Sequence, residues 1–188
     1  MWSARLKRIT ASCLGMLLGV SWSLQAQAQE ITISGASSKL VENVYRLDAD
    51  IEYRFPKPVL EALNNGVVLS LVLDIEVSRA RSYVWDETLA SLEQHYQIQY
   101  HALSEQYLLR NLNSGTQASY PALDALLFFL GRVRDLPIID AQLLDPSATY
   151  QVRIRSRLDF STLPVPLQMR AYVSRDWWLS SDWYAWNL

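Results

Sequence analysis

The chain has 188 residues, of which half are apolar, and it carries 17 basic and 19 acidic side chains. This length allows one domain with a sizeable core and is too short for two ordinary domains. The acidic balance argues against nucleic acid as a partner, because a nucleic-acid-binding surface favours a basic patch.

The first residues have the three parts of a secretory signal peptide. Three basic residues come first, an apolar stretch follows at 9–20, and residues 26–28 (Ala-Gln-Ala) form a small-x-small cleavage site. We therefore predict cleavage after Ala28, which leaves residues 29–188 as a single domain in the bacterial periplasm. The alternative is an uncleaved N-terminal anchor. A lipoprotein is disfavoured, because Cys13 lies early in the apolar stretch.

Cleavage would change both the charge and the cysteine content of the chain. The leader holds three of the 17 basic residues and no acidic residue, so the mature domain would have a net charge of about −5. It would also lose the only cysteine and with it any disulfide, which fits a periplasmic protein better than a disulfide-stapled secreted miniprotein.

Alternating apolar and polar residues predict strands in the first half of the chain. Residues 30–34 form a short strand that ends at Gly35, and residues 44–55 form a strand with one solvated face. Residues 58–63 follow as one or two helical turns. Residues 67–77 (VVLSLVLDIEV) begin apolar on both sides and then alternate, which predicts a strand in the middle of a sheet.

The middle of the chain predicts a hairpin and one helix. Residues 83–85 are apolar, residues 86–88 resemble a loop or bulge, and residues 92–103, 106–112 and 116–120 are strands, with a turn at 113–115. Residues 121–130 form the helix, with Pro121 in its first position and Gly131 at its end. Its apolar surface predicts that it lies under the sheet or closes one end of it.

The last part of the chain predicts one more strand and an aromatic tail. A turn at 145–146 leads to the strand 150–160, which alternates with three outward arginines, and Pro164 and Pro166 mark a bend. Together these elements predict a mainly β fold, an antiparallel β-sandwich of immunoglobulin-like type, with one clear α-helix at about 121–130.

Four segments resemble one known family, the DUF4390 domain of proteobacterial exported proteins. They are LDADIEYRF (47–55), SLEQHYQIQYHALSEQYLLRNLNSG (91–115), YQVRIRSRLDF (150–160) and WWLSSDWYAWNL (177–188). The resemblance implies an exported, mostly β domain and supplies no catalytic residue. It also implies an envelope-sensing context with a sensor kinase as a partner, because genes of the family often lie beside one for a two-component kinase.

No motif in the sequence indicates catalysis, a cofactor or a metal site. His95 and His101 would lie about 20 Å apart on one strand, too far to share a metal ion. There is no G-x-S-x-G motif and no glycine-rich phosphate loop. The acidic face of residues 48–52 suggests calcium, but carboxylates on a straight strand are splayed too far apart, so a solvated strand face is the better interpretation.

Two groups of residues are candidate binding surfaces. The first is the outward row Arg153, Arg155 and Arg157, which is either paired with acidic residues of a neighbouring strand, such as those at 48–52, or an anion site. The second is the set of tail tryptophans, which either pack as a final strand or form an aromatic surface for a peptide, a glycan or a membrane. These tryptophans are Trp177, Trp178, Trp183 and Trp186.

The predicted function is a non-enzymatic binding or accessory module of the cell envelope, linked to two-component sensing. Its mature form is predicted to be soluble, with an unknown envelope protein as partner and contact with a membrane surface left open. One alternative is a small-molecule or lipid carrier with a cavity lined by residues such as Leu126, Phe129 and Tyr100. Another is a hydrolase without a recognised motif, which would need a cleft with converging titratable groups of shifted pKa.

Overall fold

The computed structural model of the chain describes residues 30–79 and 87–188, which form nine strands and three α-helices. The strands are β1 (Ile31–Val41), β2 (Val44–Tyr53), β3 (Leu69–Arg79), β4 (Glu87–His101), β5 (Gln106–Asn111), β6 (Gln117–Tyr120), β7 (Arg132–Asp140), β8 (Tyr150–Asp159) and β9 (Tyr184–Asn187). The helices are α1 (Lys57–Asn64), α2 (Leu123–Leu130) and α3 (Val165–Val173). The predicted leader and residues 83–86 lie outside the described ranges.

The strands form two antiparallel sheets. The smaller sheet has the order β1-β2-β7, and the larger has the order β6-β5-β4-β3-β8-β9. The prediction of a mainly β, antiparallel fold is confirmed. The immunoglobulin-like label stays a prediction. Such sandwiches place the first two strands in one sheet and the third strand with the last two in the other. Here β1 and β2 lie in the smaller sheet, and β3, β8 and β9 lie in the larger one.

The central position predicted for residues 67–77 is confirmed. β3 lies between β4 and β8, and the side chains of Leu71, Leu73 and Ile75 are completely buried against the smaller sheet. From the opposite sheet Leu47 and Ile51 of β2 enter the same core. Each such side chain contributes roughly 1.5–3 kcal/mol before conformational entropy is subtracted, so β3 organises the core of both sheets.

A buried hydroxyl pair connects the two sheets through this core. The Tyr53 hydroxyl lies 3.0 Å from the Ser156 hydroxyl, and the Ser156 backbone amide donates to the Ser181 hydroxyl at 3.0 Å. Burial raises the pKa of the Tyr53 phenol well above its ordinary value. The phenol therefore stays protonated and serves as a structural link between β2 and β8.

Several predicted boundaries in the first half of the chain are wrong. β1 does not end at Gly35 but continues to Val41, with a bulge at Ser34, because its backbone pairs with β2 along its whole length. Of the segment 86–88, which was predicted as a loop or a bulge, Glu87 and Thr88 belong to β4. The irregularity of that segment is a register shift at Leu89, which lets β4 pair with β3.

The clear helix predicted at about 121–130 is confirmed as α2, and the one or two helical turns predicted at 58–63 lie in α1, whereas α3 was not predicted. α1 and α3 are full helices as well, and the bend predicted at the two prolines is the start of α3, where Pro164 is the N-cap and Pro166 lies in the first turn. α2 begins at Leu123 rather than Pro121. Among the described residues, none of the helices has the length and apolar character needed to cross a bilayer.

Gly131 is required for a close contact and not for an unusual backbone angle. Its φ of −73° is helical, but a Cβ placed there would lie 2.0 Å from the carbonyl oxygen of Ile51. The same two backbones are joined by a hydrogen bond from the Ile51 amide to the Gly131 carbonyl at 2.8 Å. Gly131 therefore lets the end of α2 dock on β2.

We expect Gly131→Ala to lower the free energy of unfolding by about 1–3 kcal/mol, because the new methyl group must push the two backbones apart. Urea denaturation followed by circular dichroism measures the change. Gly35→Ala is the matched control, since no atom lies within 4 Å of a Cβ at that position. Equal stabilities for the two variants would show that α2 does not need this close approach.

Candidate functional site

The three predicted arginines of β8 lie on the outer face of the larger sheet, beside β3. The register places Arg153 opposite Glu76 and Arg155 opposite Asp74. Arg153 binds Glu76 through Nε and Nη2 at 2.8 and 2.5 Å, and Arg155 binds Asp74 through the same atoms at 3.1 and 2.8 Å. The arginine row is therefore held by carboxylates of the central strand.

Asp74 holds a second arginine as well. Arg157 donates to its two carboxylate oxygens at 3.0 and 3.2 Å and also lies 3.5 Å from Glu93 of β4. The hydrogen bond with Asp74 raises the pKa of the Arg157 guanidinium. Asp74 is thus the centre of the row, with a side chain that is only 10% exposed.

The arginines are paired with acidic residues of a neighbouring strand, as predicted, but the acidic face at 48–52 is not the partner. Asp48 and Asp50 belong to the other sheet and bind Lys39 and Arg134 respectively. The backbone amide of Asp135 and the Lys39 ammonium lower the pKa of Asp48. In the part of the chain that the structure describes, no three metal-ligating side chains cluster.

Trp183, which directly precedes β9, adds an aromatic ring to the arginine row. The centre of its ring lies 4.7 Å from the guanidinium carbon of Arg153 and 4.5 Å from that of Arg155. Such contacts contribute about 0.5–1 kcal/mol each at exposed sites. We call Arg153, Arg155, Arg157 and Trp183 the arginine surface.

The arginine surface is balanced in charge. Its three cations face the carboxylates of Asp74, Glu76 and Glu93. The hydrogen bonds use Nε and Nη2 of each arginine, and within residues 30–79 and 87–188 the three Nη1 groups have no hydrogen-bond partner. About a third or more of each arginine side chain is exposed. The surface can therefore donate hydrogen bonds but lacks the excess charge of an anion site.

The other three tail tryptophans lie in different environments. Trp177 is buried in the core, and Trp186 is half-buried and donates to the Ser38 hydroxyl at 2.8 Å, which ties β9 to β1. Trp178 is 61% exposed, and its Nε1 donates to the Ala171 carbonyl at 2.8 Å. The tail thus packs through some of its rings and exposes another, so neither single interpretation of it is complete.

The residues required by the carrier hypothesis do not share an internal cavity. Leu126 is fully buried in the core, whereas Phe129 is more than half exposed and stacks on Tyr120. Tyr100 contacts Tyr107 through tilted rings whose centres are 4.9 Å apart.

Titratable groups do line one surface groove, of about 400 Å³, between β2 and α2. Its carboxylates include Asp50 and Glu52, which pair with Arg134 and Arg54. The two histidines have separate partners, since His95 contacts Glu93 at 3.1 Å and His101 contacts Ser104 at 2.9 Å. The groove therefore holds carboxylates beside arginines, and its lining residues include no histidine.

The sequence profile described as "Domain of unknown function (DUF4390)" matches residues 28–187, which is most of the chain. The chain belongs to the DUF4390 family. No curated protein and no solved structure matches it. The resemblance seen in the four sequence segments is confirmed, and the matched range includes every residue of the arginine surface.

Of the seven candidate residues, the DUF4390 domain brings together Arg153, Arg155, Arg157 and Trp183. Sequence reasoning missed their partners, Asp74 and Glu76. A signal for them existed, because two acidic residues spaced by two on the outer side of the central strand match arginines with the same spacing on β8. The acidic partners could be assigned only once β3 was known to lie beside β8.

Proposed function

We propose that this DUF4390 domain is an exported, non-enzymatic binding module of the periplasm, and that it contacts an envelope protein through the arginine surface. Cleavage after Ala28 would release residues 29–188 for this role. A two-component sensor kinase is the partner that the family's gene context favours.

The proposal rests on one observation. The hydrogen-bond donors of the arginine surface are held in place by other residues of the domain. Asp74 and Glu76 fix the guanidinium groups, and Trp183 lies against two of them. Ordering a long side chain at an interface costs about 0.5–1.5 kcal/mol, so side chains that are already ordered lose less on binding. Arginine and tryptophan are also the residues that most often dominate binding energy at interfaces.

The equal number of cations and carboxylates at the arginine surface limits which kinds of partner can bind there. A free phosphate or a purely acidic patch would meet the carboxylates of Asp74, Glu76 and Glu93 as well as the arginines. Carbonyl oxygens of a polypeptide accept hydrogen bonds without bringing a full negative charge. The three arginines repeat at about 6.6 Å along β8, which suits alternate residues of an extended segment. We therefore infer a protein partner that docks an extended segment.

The test is photo-crosslinking in the native envelope, with a photoreactive residue in place of Ala185. Ala185 is exposed and pairs with Arg153 at the arginine surface. We expect a discrete crosslinked protein, and its yield should fall at least about tenfold when Trp183→Ala removes a residue of the hot-spot type. Mass spectrometry then identifies the partner.

The matched control places the same photoreactive group at Ala118, which is exposed on the edge strand at the other end of the same sheet. Phe128→Ala is the second control, because its exposed ring lies over Arg132 of the smaller sheet and its loss should leave the yield unchanged. Equal crosslinking from both positions, or equal loss in the Trp183→Ala and Phe128→Ala variants, would reject the arginine surface as the binding site.

A further inference from the structure

The tail of the chain contains one extra residue where it pairs with β8, beside the arginine surface. Ser180 forms an isolated bridge with Arg157, and Tyr184 of β9 pairs with Ile154. Between these two pairs the tail has three residues, whereas β8 has two. An insertion of one residue is a β-bulge, which increases the twist of a strand and re-aims a side chain. We call residues 181–183 the tail bulge.

The tail bulge decides which aromatic ring of the tail faces the arginines. Ser181 is only 5% exposed and lies opposite Ser156, which is on the buried face of β8. If strict alternation continued from Ser181, Trp183 would point inward and Tyr184 outward. The structure has the reverse arrangement, since Trp183 lies over the arginine row and Tyr184 packs against the core. The extra residue therefore shifts the tail by one position, which exchanges its two faces.

The hydroxyl group of Ser181 holds the tail bulge in place. In a regular hydrogen-bonded pair of antiparallel strands, the two residues exchange both of their backbone N–H···O bonds. Here the Ser181 amide donates to the Ser156 carbonyl at 2.8 Å, but the Ser156 amide donates to the Ser181 hydroxyl at 3.0 Å. The same hydroxyl donates to the Asp182 carbonyl at 2.8 Å. One buried side chain therefore replaces a bond of the ladder and also binds the extra residue.

We infer that Ser181 is a positioning residue of the arginine surface, because it holds the tail bulge and the bulge places Trp183 over Arg153 and Arg155. The Ser181 side chain is buried, so it acts through the Trp183 ring and not by touching a partner. The importance of this position for binding rests on the proposed function, in which Trp183 is a residue of the hot-spot type. The arginine surface then depends on the register of the tail as well as on the carboxylates of β3.

The first test is nuclear magnetic resonance of the exported protein, as the cell processes it. The Nε–H groups of Arg153 and Arg155 are held by carboxylates and lie near the Trp183 ring, whose ring current shifts their signals. We expect Ser181→Ala to move both signals to the positions that they have in Trp183→Ala. The Arg157 signal is the internal reference, because the ring lies over the other two arginines.

The matched control is Ser156→Ala, which also removes a buried hydroxyl group. The Ser156 hydroxyl bonds to the Tyr53 hydroxyl at 3.0 Å, whereas its contacts with Ser181 use the backbone. This control should be less stable than the wild type but keep the wild-type signals of the arginines. Ser181→Thr retains a hydroxyl group and should restore the wild-type signals that Ser181→Ala loses.

Deletion of Asp182 tests the bulge without relying on the Ser181 substitution. The deletion removes the extra residue itself, so the pairing that begins at Ser180 would continue with Trp183 facing inward. We expect the signals of the two covered arginines to shift as they do in Trp183→Ala. Far-ultraviolet circular dichroism shows whether each variant is folded.

The second test measures binding with a photoreactive residue in place of Ser91. Ser91 is exposed on β4 and lies opposite Glu76, so its place does not depend on the tail. We expect Ser181→Ala to lower the yield of the crosslinked partner by at least about threefold. Adding Ser181→Ala to Trp183→Ala should cause no further loss, because both changes act through one ring.

Unchanged signals of Arg153 and Arg155 in a folded Ser181→Ala variant would overturn the inference, and so would equal shifts in Ser156→Ala. A wild-type crosslinking yield in Ser181→Ala, when Trp183→Ala has lost its yield, would overturn it as well. The resonance measurement uses the isolated protein. A wild type that crosslinks to nothing would therefore count against the proposed function and leave the result on the tail bulge intact.

Discussion

We expect Trp177→Ala to lower the free energy of unfolding by about 3–5 kcal/mol, as truncation of a buried aromatic side chain does. Trp177 is only 3% exposed and packs in the core cluster that contains Leu163 and Leu179. Its loss would enlarge the groove between α1 and α3 that Trp177 lines. Urea denaturation followed by far-ultraviolet circular dichroism is the measurement, because tryptophan fluorescence would itself be altered.

Trp178→Ala provides the control in the neighbouring position. The same chemical change there removes a ring that is 61% exposed and one hydrogen bond to the Ala171 carbonyl. We expect a loss of about 0.5–1.5 kcal/mol. If the two variants were equally unstable, the division of the aromatic tail into a packed and an exposed part would be wrong.

The strands that sequence alone predicts well are those with strict alternation. β2 and β8 each have one buried and one partly exposed face, and the second half of β3 alternates apolar with polar residues, so the period of two is visible in their residues. The apolar start of β3 correctly predicts its central position. These strands define the core, which is why the fold class could be predicted.

The elements that sequence reasoning missed or shortened have no such contrast between faces. β1 is an edge strand rich in serine, and it is held by backbone pairing with β2. β7 carries Pro137 and a positive φ at Asp135, features that usually mark loops. α3 keeps most of its apolar residues exposed, so its hydrophobic pattern gives little indication of packing. Tertiary context decides these three elements.

The candidate site was predicted in part for a related reason. The outward direction of Arg153, Arg155 and Arg157 follows from alternation within one strand. The identity of their acidic partners depends on which strand lies beside β8, and that order is not visible in the local sequence. Trp183 joins them only because β9 pairs with β8.

Asp74→Asn should lower the free energy of unfolding by about 2–4 kcal/mol. Removing one member of a buried ion pair typically costs 3–5 kcal/mol, and partial exposure of the arginines reduces that cost through solvent screening. The Asp74 carboxylate serves both Arg155 and Arg157, whose side chains are 34% and 32% exposed. The amide would leave two neighbouring cations without their common anion. Urea denaturation at neutral pH measures the loss.

Glu76→Gln is the graded control, because Glu76 holds only Arg153 and both side chains are more exposed. We expect it to lose about 0–1 kcal/mol. Adding Arg157→Gln to Asp74→Asn should restore part of the stability, since one of the two unpaired cations is then removed and the two changes are not additive. Additive losses would mean that the three side chains act independently. The donors of the arginine surface would then lack the fixed arrangement from which a binding role was inferred.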